Sequence, residues 1–237
     1  MDTESTVRPA DSSAPADWIV ADAREHWAQT VRWGPRGFAV YARVDFPWHD
    51  GEAPDQNDTE LTRSVFELLA AYTAKPEDCL AAVWEGWGGR DLTPTDPAIP
   101  RVAIPEREML LFRCTLADLP TAPEAAWGES TRSGWPIPHL SWPSDRSWCV
   151  ACDVDEELAF TVACSEEAYA ALAAALPGQV RRATWGDPEP MYADSGAAQP
   201  IDPRGLGEPI PPGAPGWQRY ATVGLLGGFG LGGMHDG

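Results

Sequence analysis

The strongest pattern in the chain lies just after Asp58, where Leu61, Val65, Leu68, Leu69 and Tyr72 recur at helical spacing. Apolar residues three and four apart form one stripe of a helix, which must be buried against something else. Asp58 stands where a side chain can accept from the first free N–H groups, and Glu60 suits the positive end of the helix dipole. Lys75-Pro76 stops the element, because a proline disfavours helical geometry in the residue before it. A second helix is predicted over 166–176, capped by Ser165 and ended by Pro177-Gly178. A third starts at Asp17, with Ile19, Ala23 and Trp27 towards one side.

Runs rich in β-branched and aromatic residues supply the strands: 38–46, 80–84, 109–115 and 180–185. Two more, 148–154 and 158–163, are predicted to form a hairpin across Asp155-Glu156-Glu157. The turn Gly86-Trp87-Gly88-Gly89 closes the strand at 80–84, and an acidic loop spans 50–58. Hairpin-joined strands with interspersed helices define an α+β class, with an antiparallel or mixed sheet and two or three packed helices. The expected organisation is one domain over 16–186, a polar, disordered stretch over 1–15 and a Pro/Gly-rich arm over 187–237.

Composition then narrows the partners. At 43% hydrophobic with 12 Trp, the 237 residues can build a packed core. The 36 acidic residues against 17 basic ones give −19, which repels phosphate backbones and anionic lipid. Nucleic acid and membrane are therefore not expected partners, and a basic protein is. Lys75 is the only lysine, so a GC-rich coding sequence is a competing source of the same imbalance. The run from Tyr220 to Met234 is too short and too glycine-rich to span a bilayer, which needs about 20 apolar residues. Five cysteines without an export signal fit a cytoplasmic protein with reduced thiols.

Few motifs carry chemistry. Cys149 and Cys152 have the spacing of redox pairs and zinc knuckles, yet residues three apart on a strand face opposite ways, so these sulfurs diverge. Gly228, Gly230 and Gly233 match a dinucleotide fingerprint as letters only, since no helix and no acidic partner follow. No metal and no cofactor is expected. Asp153 and Asp155 share a face if the strand continues through them, and could divide acid–base work. Alternation also turns Trp148, Val150, Cys152 and Val154 inward and leaves both aspartates in water. Arg146 lies between Trp142 and Trp148, an arrangement used for recognition and for bracing alike, while Trp84 and Trp87 flank a glycine turn and can offer a stacking platform.

Three segments carry a family likeness. Gly37-Phe38-Ala39-Val40-Tyr41-Ala42-Arg43-Val44 comes first; Thr73-Ala74-Lys75-Pro76-Glu77-Asp78-Cys79 follows, leading into Val83-Trp84-Glu85-Gly86-Trp87-Gly88; the third is Trp142-Pro143-Ser144-Asp145-Arg146-Ser147-Trp148 with Asp153-Val154-Asp155. In order and spacing they resemble the "GFxAYAR", "TxxPxxC…WxGWG" and "WPxDRSW…DVD" segments of an uncharacterised actinobacterial family. The chain departs at Phe46-Pro47, where members tend to have His-Pro, and in its long Pro/Gly tail. The resemblance implies an actinobacterial cytoplasm and carries over no activity. Two functional readings stand. One is a non-enzymatic module of inhibitor or immunity type that binds a protein through an acidic, tryptophan-bearing surface. The alternative is a small-molecule enzyme with Asp153 or Asp155 as acid–base and Arg146 as anion clamp.

Overall fold

The apolar runs of this chain lack clean alternation because both faces of the sheet they build are covered. A computed structural model describes residues 5–47, 59–88, 98–127 and 137–192. Among these residues nine strands join one sheet: β1 Arg8–Pro9, β2 Val40–Asp45, β3 Cys79–Trp84, β4 Arg101–Val102, β5 Met109–Cys114, β6 Leu140–Pro143, β7 Cys149–Ala151, β8 Ala159–Cys164 and β9 Val180–Ala183. The order is β1-β5-β3-β6-β7-β8-β2-β9, with β4 also on β5, and every pairing is antiparallel. The α+β class holds, with the sheet antiparallel rather than mixed. Four helices accompany it: α1 Asp17–Trp33, α2 Thr59–Leu69, the short α3 Ala122–Trp127 and α4 Glu166–Ala175.

Strand periodicity divides the core in two. Cys79, Ala81 and Val83 of β3, Phe112 of β5, Val150 of β7 and Phe160 and Val162 of β8 pack with α2 and α4. Leu80, Ala82, Leu111, Cys149, Ala151 and Ala163 point the other way and pack under α1 with Ile19, Ala23, Val31 and Trp33. Cys149 and Cys152 thus lie on opposite faces, as residue parity requires. Helix α1 is interrupted at His26 (φ −140°, ψ 40°) and ends at Gly34. There φ is 78°, a left-handed conformation that side chains rarely adopt, so glycine is the residue that fits. Helix α4 begins as expected, with Ser165 Oγ accepting from the Ala168 N–H at 3.2 Å.

Several boundaries move. Trp142 and Pro143 end β6, and a tight turn carries the chain into β7, with Arg146 at φ 58°. Strand β7 stops at Ala151, because Asp153 and Val154 already begin a turn in which the Glu156 N–H donates to the Asp153 carbonyl. Residues 5–15, expected to be without order, carry β1 on the edge of β5, and Thr6 bonds to Asp118. Past the expected boundary at 186, residues 187–192 form a strap packed on the domain, its Met191 carbonyl accepting from Glu157 N–H. The acidic loop at 50–58, the cap at Asp58 and the chain from 193, with its glycine string, lie outside the described residues.

A fully buried charged group lies at the end of α1. Glu156 has no exposure and is gripped by Arg32 (Nε–Oε2 2.5 Å) and Arg43 (Nη2–Oε1 2.8 Å), each about 1% exposed. Both guanidiniums lie over the Trp33 ring, at 5.7 and 5.1 Å from its centre. Thr161 Oγ1 accepts from Arg43 and donates to the Arg32 carbonyl. Arg32 also donates to the carbonyls of Glu189 and Pro190, which fastens the strap to the end of α1.

Two stability predictions follow from this packing. Trp148 is fully buried beside Phe66 and donates from Nε1 to Thr73 Oγ1 at 2.8 Å. Trp148→Ala should cost about 3–5 kcal/mol in chemical denaturation, and a loss below 1 kcal/mol would contradict its place in the core. Glu156→Ala removes the carboxylate that two buried guanidiniums share and leaves Arg32 without a counter-ion, and should cost about 3–5 kcal/mol as well. An unchanged denaturation midpoint would show that solvent already reaches them.

Candidate functional site

Where β3 meets β5, register places Trp84 opposite Met109, so the turn before β5 lies beside the tryptophan. In that turn Glu106 adopts φ 59° and the Arg107 N–H donates to the Ile104 carbonyl. The Arg107 side chain spends all its arms locally. Nε donates to Asp153 Oδ1 (3.2 Å), Nη2 to Asp155 Oδ2 (2.9 Å) and Nη1 to the Glu106 carbonyl (3.1 Å). Its guanidinium carbon lies 5.5 Å from the Trp27 ring of α1 and 5.3 Å from that of Trp84. Arginine suits such a position, since its planar fork bonds in plane while its faces meet rings.

The two aspartates are therefore brought together by a shared cation rather than by strand alternation. Asp153 is a correction to the sequence reading, which left it in water: its side chain is only 8% exposed and also accepts from the Val154 N–H. Asp155 keeps 23% exposure. Burial pushes the Asp155 carboxyl up to about 6; the charge of Asp153 adds to the rise and Arg107 opposes it. Beneath them His139 is buried, and burial drives its pKa down to about 3, leaving the ring neutral. Its Nδ1 accepts from the Trp84 N–H at 2.8 Å, which fixes the end of β3.

The remaining sequence candidates go elsewhere. Arg146 sits exposed in the β6–β7 turn, 5.2 Å over the ring of Trp18, and Trp18 meets the buried Trp142 edge-on at 6.2 Å. Arg146 and Trp142 thus form a brace at the start of α1. The expectation that Arg146 clamps an anion for Asp153 and Asp155 fails, because the turn and the aspartates lie beyond opposite ends of β7. Trp87 belongs to the short turn 85–88, and its side chain lies outside those described. All five thiols are free and buried, and burial pushes the pKa of each upward. Among the described residues no group of three or more His, Cys, Asp or Glu side chains could hold a metal ion.

Sequence reasoning found Asp153, Asp155 and Trp84 but missed Arg107, Trp27 and His139. The only local signal for Arg107 was its place between two glutamates in a proline-punctuated stretch. Against protein-family models, curated proteins and solved structures, the chain has no match.

The raised Asp155 carboxyl makes a signed prediction. An unfolded aspartate titrates near about 3.9, below the native value of about 6, so the native state holds the proton more tightly. This group's contribution is full below about pH 4 and declines as pH rises through about 6. His139 works the other way, contributing fully above about pH 6.5 and losing that as pH falls. Subtracting wild type from Asp155→Asn cancels the histidine. The asparagine variant should gain relative stability from about pH 4 to about pH 6, read by urea denaturation. A difference that stays flat would mean that Asp155 titrates as it does in an unfolded chain.

Proposed function

We propose that this protein is a cytoplasmic, non-enzymatic binding module, of inhibitor or immunity type, that docks a basic protein on the patch around Arg107. The observation that carries this reading is the pairing of two half-buried rings, Trp27 and Trp84, with two carboxylates that share one guanidinium. Exposed Glu106 and Glu108 flank the cluster, so its net charge is negative. Rigid aromatic rings beside such charge are the usual anchors of a protein interface.

Arginine elsewhere is largely spent within the chain. Arg32, Arg43, Arg101, Arg107, Arg113 and Arg181 each close on a carboxylate of the same chain. Acidic residues such as Asp17, Glu25, Glu60, Glu67 and Glu124 remain exposed on the helices. Pairing cancels equal charge of each sign, so the excess of −19 is carried by carboxylates that no arginine neutralises. The unbonded thiols fit a reducing compartment, and among the described residues no helix is long and apolar enough to cross a membrane.

A second reading rests on one observation. The carboxyl of Asp155, pushed up to about 6, is poised as a general acid or base for a small molecule held against Trp84. The close bonds of Arg107 to both aspartates favour the binding reading, because they occupy the lone pairs a catalyst would use.

The immobilised protein, exposed to native cytosol at low ionic strength, should retain a basic partner that elutes with salt. Trp84→Ala, and Glu106→Lys with Glu108→Lys, should each reduce retention about tenfold or more, the effect of losing one anchor. Equal retention by all three proteins, or none by the wild type, would remove this reading.

A further inference from the structure

Away from that patch, an open cavity of about 510 Å³ lies beside the ends of β2 and β9, lined by Arg43, Asp45, Phe46, Leu158, Arg181 and Glu189 among others. Its most telling occupant is a side chain of the protein itself. Arg181 grips the Glu189 carboxylate through both arms (Nη1–Oε1 2.5 Å, Nη2–Oε2 2.8 Å), and Arg43 Nε donates to Oε2 at 3.2 Å. This is the fork-on-carboxylate geometry with which proteins recognise carboxylate ligands.

We propose that this cavity binds a small monocarboxylate carrying an apolar tail, and that Glu189 is a built-in placeholder which the ligand displaces. Three features support displacement. Arg43 would stay aligned without Glu189, because it is still held by Glu156 (2.8 Å) and Thr161 (3.1 Å), and Arg181 keeps its pairing with Asp45 (3.4 Å). The strap would stay in place as well, because Arg32 bonds the backbone carbonyls of Glu189 and Pro190, not the side chain. Only the glutamate side chain has to rotate, and it is already 16% exposed.

Charge sets the ligand class. Arg32, Arg43 and Arg181 are balanced by Glu156, Asp45 and Glu189. Withdrawing Glu189 leaves one positive charge, which one carboxylate neutralises. A dianionic phosphate overfills the site, since Asp45 lies 3.4 Å from Arg181 Nε and stays in place. Phe46, Pro47 and Leu158 form an apolar wall for the tail. In the wild type the tethered glutamate competes at high effective concentration, so free carboxylates bind weakly.

Hexanoate is a suitable probe, with isothermal titration calorimetry of the full chain as the measurement and sodium chloride at equal ionic strength as the reference. Glu189→Ala and Glu189→Gln should bind hexanoate at least about tenfold more tightly than the wild type, the worth of a charge-assisted pair. Hexylamine and inorganic phosphate should show no such gain. Adding Arg181→Ala, a half-exposed position whose loss leaves the core intact, should abolish the gain. If the alanine variant does not fold, the near-isosteric glutamine variant decides. No gain in the folded Glu189 variants, a gain that survives Arg181→Ala, or a preference for phosphate would each overturn the proposal.

Discussion

A carboxylate with no solvent exposure, Glu156, sits between the guanidiniums of Arg32 and Arg43. The rest of the domain is arranged around that ion group. It joins the last turn of α1, the middle of β2, the turn after β7 and, through Arg32, the strap at 187–192. Replacing the whole group with well-packed apolar side chains need not weaken the fold, so stability alone does not explain it. Direction does: each bond fixes an angle as well as a contact, and apolar packing fixes neither as sharply. The turn that Glu156 anchors is the one that presents Asp153 and Asp155 to Arg107. The acidic patch is thus positioned from beneath.

The parts of the fold that were legible in the sequence are those set by near neighbours. Apolar runs announced β2, β3, β5 and β8, the Leu61–Tyr72 stripe announced α2, and Ser165 announced α4. Parity separated Cys149 from Cys152. The short strands β1, β4 and β6 escaped because they have two to four residues and proline nearby, which leaves no periodicity to read. Asp153 was misplaced for a related reason: the apolar alternation runs on to Val154 although the strand ends at Ala151.

The candidate site was half legible. Its aspartates and Trp84 stood out by type and spacing, but what unites them is Arg107, 46 residues before Asp153. The buried ion group spans 124 residues from Arg32 to Glu156 and 113 from Arg43. No local pattern encodes such pairings, because they depend on which strands become neighbours. Composition held an unread hint in the near-exclusive use of arginine over lysine. Buried forks and ring stacking need a planar, weakly hydrated cation.

The five thiols take on a different meaning once their burial is known. None is more than about 3% exposed, and burial holds every one in its unreactive protonated form. They also sample both sides of the sheet, Cys149 under α1 and the others under α2 and α4. A thiol reagent therefore meets them only when the structure opens. The cysteines are native clocks: the labelling rate at Cys149 counts openings beneath α1, while the rate at Cys79, Cys114, Cys152 or Cys164 counts those of the opposite layer. Whether the two layers breathe together or separately can be heard in one unmodified chain.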